Sequence, residues 1–186
     1  MQVSSSISTA LNQLEINTSR LHIEKLKERH RDDCLRHEQD AELLKYIKDV
    51  PSKDDAMALV SSSIAKWQGE EGKWLTFAIE ESATNRYIGE VFCRYESVDF
   101  KRIEIGFRLA KGFHQQGYMT EALTAFIDAL KAITNPVKIV GYCVADNIAS
   151  KKTMEKLGLE QEGVLKKYST LNGVWHDERI FGLVVG

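Results

Sequence analysis

Basic charge is not in surplus in this sequence. Its 25 lysines and arginines are outnumbered by 27 aspartates and glutamates, leaving a formal net charge of -2. An electrostatic grip on DNA or RNA needs a basic stripe or patch, so the composition assigns no nucleic-acid partner. Cysteine is scarce. Cys34, Cys93 and Cys143 are odd in number, widely spaced and without a C-x-x-C pair, which argues against a disulfide framework and against a cysteine zinc site. Cys93 and Cys143 sit in apolar, strand-like runs and read as buried thiols, which fits a reducing cytoplasm. The Ser-rich opening, residues 1–17, has neither a basic n-region nor an apolar run of seven residues, so it reads as neither a secretion signal nor a membrane span. What is present is ordinary for a soluble domain: 43% apolar and 28% charged residues in a chain of 186, long enough to bury a core.

Residues 1–17 are expected to be a loose extension, with Leu11, Leu14 and Ile16 available to pack on a neighbour. A single domain is expected over 18–186. Thr18 to Leu26 reads as a first strand. A charged, helix-prone stretch follows from about Lys27 to Lys48, and a second helix is expected over Asp54 to Gln68, where Met57, Val60, Ile64 and Trp67 keep helical spacing. His30 and His37 fall on the charged helix and read as solvated surface histidines. Trp74 to Ile79, Tyr87 to Tyr95 and Arg102 to Leu109 then read as an antiparallel meander. In the last of these, isoleucine, phenylalanine and leucine alternate with Arg102, Glu104, Gly106 and Arg108, the period of a strand with one buried face.

The loop from Lys111 to Tyr118 carries Gly112 and Gly117. Beyond it Met119, Leu123, Phe126, Leu130 and Ile133 mark an amphipathic helix. A strand, a glycine-bearing loop and a helix can bind an anion, because the first N–H groups of the helix lack intrahelical partners and lie at the positive end of its dipole. Lys138 to Val144 reads as a strand reached by a parallel crossover. A short helix, Asn147 to Leu157, ends at Gly158. Leu159 to Leu171 and Val174 to Val184 form a hairpin around Asn172-Gly173. The reading is mixed α/β.

Leu109, His114, Gly117 and Met119 resemble the acetyl-CoA loop of the GNAT superfamily of N-acetyltransferases. Asn147, Ser150, Lys156-Leu157-Gly158-Leu159 and Glu162-Gly163 resemble the second signature of its RimJ/RimL type, and Asn172-Gly173-Val174-Trp175-His176-Asp177 resembles the exit sequence of that type. The resemblance runs from about Thr18 to the C-terminus. It implies the GNAT fold, a mixed, mostly antiparallel sheet flanked by helices in the order β-α-α-β-β-β-α-β-α-β-β. It also implies acetyl-CoA as cosubstrate, no metal, and an amine acceptor, either a protein N-terminus or a small molecule. The region between the first two strands of that order would line the acceptor site, and a homodimer is a further expectation of the type.

By the same resemblance the pyrophosphate of acetyl-CoA would rest on backbone from Gln115, Gln116, Gly117, Tyr118, Met119 and Thr120, and its arm would pair with Phe107 to Leu109. Met119 also belongs to the apolar stripe of the helix. Asn147 would bind the arm or cap its helix. Acetyl transfer needs a base for the amine and an acid for the departing thiolate. Glu104 is the expected base, with a surface carboxylate paired to Arg102 or Arg108 as the alternative. Where many members have a tyrosine acid this chain has Met154, which cannot donate. Ser150 is the expected hydrogen-bond donor to the leaving group, with a helix-start serine satisfying backbone as its alternative. Glu121, in the first turn of its helix, reads as structural.

Overall fold

The computed structural model describes residues 1–185. One eight-stranded sheet runs through it in the order β1-β2-β3-β4-β5-β6-β8-β7. The strands are β1 (Glu15–Asn17), β2 (Leu21–Lys25), β3 (Leu75–Glu81), β4 (Arg86–Ser97), β5 (Arg102–Leu109), β6 (Lys138–Val144), β7 (Glu160–Leu171) and β8 (Val174–Val184). The helices are α1 (Ser5–Asn12), α2 (Arg31–Glu38), α3 (Ala41–Leu44), α4 (Lys53–Ile64), α5 (Tyr118–Thr134) and α6 (Ile148–Lys156). Every neighbouring strand pair is antiparallel except β5 and β6, which the α5 crossover makes parallel. From β2 onward this is the expected order, with three helices where two were expected. The expected long charged helix breaks because Asp40 caps a new one, its carboxylate accepting from the N–H groups of Glu42 and Leu43 at 2.9 and 3.0 Å. No helix among the described residues is long and apolar enough to cross a membrane.

The period-2 pattern of the strands sorts their side chains onto two faces. On one, Phe77, Ile79, Val91, Ile103, Ile105 and Ile139 meet the apolar stripe of α5, Leu123, Phe126 and Leu130, in the main core. Phe77 and Phe126 cross edge to face at 4.9 Å, and burying each such side chain contributes about 2 to 3 kcal/mol. On the other, Cys34 of α2 and Val60 of α4 pack with Leu26 and Ala78 in a smaller cluster. The rest of that face is polar and aromatic, and it positions the site.

The N-terminal extension is not loose. Ser4 caps α1, β1 pairs with β2, and Val3 N–H donates to the Gly69 carbonyl at 2.9 Å. Leu11 is fully buried, and Leu14 and Ile16 pack against the main core. The apolar residues expected to serve a neighbour therefore pack into this chain's own core, where α1 lies beside α5. His30 is a second correction. It is buried rather than solvated, its Nδ1 accepting the Lys27 N–H at 3.0 Å.

Candidate active site

The parallel pair β5–β6 holds for only three positions: Arg102 opposite Lys138, Ile103 opposite Ile139, and Glu104 opposite Val140. Beyond them β5 stays paired with β4 as far as Leu109, and β6 stays paired with β8 as far as Val144. The sheet therefore parts between β5 and β6, leaving two facing strand edges whose backbone groups have no ladder to join. An extended group bearing amides can pair with such an edge as an added strand does. Glu104 stands at the last paired position, the apex of the opening. Phe107 and Leu109 lie along its β5 side, and Cys143 lies on β6.

The loop between β5 and α5 forms one wall of the mouth. His114 occupies a position where the commoner RimJ-type loop has tryptophan, and its Nε2 donates to the Leu109 carbonyl at 2.7 Å, tying the loop to the strand. Gln115 takes a left-handed conformation at φ 60°. Gln116 donates from Nε2 to the Gly112 carbonyl at 2.8 Å. Gly117 precedes α5 at φ 81°, where a side chain would be strained. The first helical bond runs from Glu121 N–H to the Gly117 carbonyl at 3.0 Å, so the N–H groups of Tyr118, Met119 and Thr120 precede it, and no side chain caps this end of the helix. That is an open anion cradle. Glu121, the acidic residue of the first turn, turns away from it. Its carboxylate accepts from Thr18 (2.6 Å), Ser19 (3.0 Å) and the Arg20 backbone (3.0 Å) and pairs with the Arg20 guanidinium. Arg20 also donates to the Gln116 carbonyl at 3.0 Å and lies 4.2 Å from the centre of the Tyr118 ring. The Tyr118 hydroxyl is spent on Glu81 at 2.7 Å, and the Met119 side chain is buried in the main core; what these two offer the mouth is backbone.

The start of α6 forms the other wall. Asn147 caps it, its Oδ1 accepting the Ser150 N–H at 3.1 Å. Burial pushes the Cys143 thiol up, and the nearby Ser150 side chain opposes this in part. All three cysteines are free and buried.

Glu104 was expected to pair with Arg102 or Arg108 if it paired at all. It pairs instead with Arg94, directly across the β4–β5 ladder, whose Nε and Nη2 reach Oε2 at 2.7 and 2.6 Å. Arg102 goes to Glu96, and Arg108 goes to Glu90 and Glu38. Residues i and i+2 of one strand share a face but not a ladder position, and the partner directly opposite is closer. Oε1 of Glu104 has no protein partner among the described residues. Burial pushes the Glu104 carboxyl above the usual carboxylate range; Arg94 opposes this, and the like charges of Glu96 and Glu178 reinforce it. Around it stand Tyr142, whose hydroxyl donates to Glu96 at 2.8 Å, and Tyr168, stacked on Tyr142 at 6.4 Å. The chain between α3 and α4 reaches across this face, Asp49 accepting the Asn172 N–H of the β7–β8 turn at 2.6 Å.

His22, Glu24 and Glu80 bring ligand atoms within 4.8 Å of one another. Arg29 bridges both carboxylates and Lys27 lies on Glu24, so that position already holds its cations.

The model of the family described as acetyltransferase (GNAT) domain matches residues 20–160. A Bacillus subtilis (strain 168) protein, uncharacterized N-acetyltransferase YoaA, is 22% identical over 171 residues, 91% of this chain and 96% of its own. Among solved structures, RimL, the ribosomal L7/L12 alpha-N-protein acetyltransferase in complex with coenzyme A, superposes with a TM-score of 0.81 at 21% identity, covering 92% of this chain and 98% of RimL. The microcin C7 self immunity acetyltransferase MccE, in complex with acetyl-CoA and AMP, gives 0.78 at 22%, covering 90% and 94%. At these identities the two structures establish a shared fold.

Proposed function

Because this chain belongs to the GNAT acetyltransferase family, we propose that it transfers the acetyl group of acetyl-CoA directly to a primary amine, with a protein N-terminal amino group as the leading acceptor. The observation that carries the reading is the opening between β5 and β6, which has Glu104 at its apex and the uncapped start of α5 at its mouth. RimL supports the acceptor and MccE the cosubstrate.

Acetyl-CoA brings an acetyl group already activated as a thioester. Backbone N–H groups from Tyr118 to Thr120 hold its pyrophosphate, and the free β5 edge beyond Glu104 holds its amide-bearing arm. Oε1 of Glu104 takes the proton of the incoming ammonium, directly or through water; an α-amino group, with a pKa of about 8, is partly neutral already at pH 7. The raised carboxyl of Glu104 brings its basicity closer to that task. The Ser150 hydroxyl hydrogen-bonds the departing thiolate.

Acetyl-CoA at about one hundred times its Kd stabilises the fold by about 2.7 kcal/mol, read as a Tm rise of roughly 5 to 10 °C for a domain of this size. Gly117→Glu brings strain and negative charge to the cradle and abolishes that rise. CoA release is then assayed with a panel of N-terminal peptides and small amines. Native binding by a folded Gly117→Glu protein overturns the loop assignment. Binding without CoA release from any amine makes this an acyl-CoA-sensing domain instead.

A further inference from the structure

We propose that Arg94 binds a carboxylate of the acceptor, so that the amine acetylated here carries an acidic group within a few bonds of its nitrogen. The inference rests on the acetyl-transfer reading and adds the acceptor's chemistry to it. Three guanidinium groups lie on the β4–β5 part of the polar face. Arg108 is buried and committed to Glu90 and Glu38, and Arg102 is drawn off to Glu96. Arg94 is set apart by its place: its side chain is 34% exposed, against 37% for Arg102, but both nitrogens that it uses go to one oxygen of the proposed base, Oε2 of Glu104. Nη1 has no protein partner among the described residues.

The guanidinium is also held flat. Its central carbon lies 4.5 Å from the centre of the Trp74 ring, and Trp74 stands edge-on to Phe92 at 6.2 Å. Both rings lean over Gly106, where an added Cβ would meet Phe92 at 3.5 Å and Trp74 at 3.7 Å. A planar fork stacked on an aromatic ring, with one side free, suits a carboxylate better than a diffuse cation would. The other groups facing Glu104 are acidic or neutral, Glu96 from β4, Tyr142 from β6 and Glu178 from β8. An amine is welcome among them, and the open cation beside it answers an anion on the same molecule. Arrival of that anion also draws Arg94's charge away from Glu104, so the base becomes stronger when the correct acceptor is bound.

The chemistry has two sources, a free amino acid or a peptide N-terminus followed by an acidic side chain. The experiment uses acetyl-CoA with two series of paired acceptors. The first sets glycine, β-alanine and 4-aminobutanoate against their amides; the second sets Ser-Asp-Ala amide against Ser-Asn-Ala amide. The native protein is expected to favour the carboxylate member of at least one series by about tenfold or more in kcat/KM, and the series that responds identifies the source. Arg94→Gln is expected to erase the preference, and Arg94→Lys to keep part of it. Binding of the same amines to the protein–CoA complex, read as a Tm shift, separates the two readings. Carboxylate-dependent binding without CoA release keeps Arg94's role and ends the acetyl-transfer reading. Equal use of acid and amide in both series overturns the Arg94 proposal while leaving acetyl transfer intact, as does a preference that survives in a folded Arg94→Gln protein.

Discussion

Two Glu–Arg pairs sit on the same ladder of the same sheet face, and they do opposite things. Glu90 faces Arg108 across β4–β5, and Arg94 faces Glu104 four residues further along β4. Glu90 is completely buried, yet its carboxyl is held down at about 2. Burial pushes it up, but the Arg108 charge and the hydrogen bonds from His37 and Arg108 overcome this. Arg108 reaches both Glu90 oxygens, at 2.7 and 2.9 Å, and the Tyr87 hydroxyl adds a bond at 2.5 Å. Glu104 retains slight exposure, but its carboxyl is raised: burial pushes it up, Arg94, which serves only one oxygen, does not offset this, and two further glutamates add to it. Burial alone does not make a base. Burial with incomplete compensation does, and the incomplete pair is the one at the apex of the opening.

The comparison is broken most severely at the compensated pair. Arg108→Met leaves Glu90 and Glu38 buried without their shared cation, and removing one partner of such a pair costs about 3 to 5 kcal/mol. In a domain of this length that is a Tm loss of roughly 6 to 20 °C, measured by thermal denaturation at neutral pH. A loss below about 3 °C would mean that His37 and Tyr87 compensate Glu90 without help.

At the incomplete pair the damage falls on rate. Glu104→Gln keeps size and removes the proposed base, so acetyl-CoA affinity should persist while kcat falls about 10²-fold or more. Raising the pH restores part of the loss, since more of the amine is then neutral without assistance. Native activity at pH 7 would make Glu104 a structural partner of Arg94 and leave deprotonation to solvent. A smaller effect is expected at the other end of the proton's path. Ser150→Ala removes the one hydrogen bond proposed to the leaving group, about 1.4 kcal/mol or tenfold in rate, and high pH should not rescue it.

The difference between the pairs was only half legible in the sequence. Alternation identified β5 and put Glu104, Gly106 and Arg108 on one face, and the α5 stripe and the Asn172-Gly173 turn were equally plain, because each depends on residues close in the chain. The partner of Glu104 was not legible, since Arg94 is ten residues away and its pairing depends on register through a turn with a bulge near Tyr95. His37 and Glu90 lie 53 residues apart and meet at 3.1 Å, a distance that no local pattern reports. The N-terminal extension misled for a related reason: its Ser-rich composition is that of a tail, and only the packing of α1 and β1 on the main core shows what Leu11, Leu14 and Ile16 are for.

The smallest expected effect is on how stability depends on pH, and its sign differs between the two pairs. Glu90 has a folded value of about 2 against an ordinary 4.5. The unfolded chain therefore binds the proton more readily, and the stabilisation is complete above the ordinary carboxylate range and is lost as pH falls through it toward 2. Glu104 is raised in the fold, so the folded chain binds the proton more readily. Its contribution is most favourable at low pH and declines as pH rises through the raised value. Glu104→Gln removes that decline and leaves the Glu90 slope untouched. Between about pH 4 and pH 8, the Tm of Glu104→Gln should therefore gain on that of the native protein as pH rises, with both still losing stability together on further acidification. A constant Tm difference across that range would mean that Arg94 compensates Glu104 as completely as Arg108 compensates Glu90, and the contrast between the two pairs would fall.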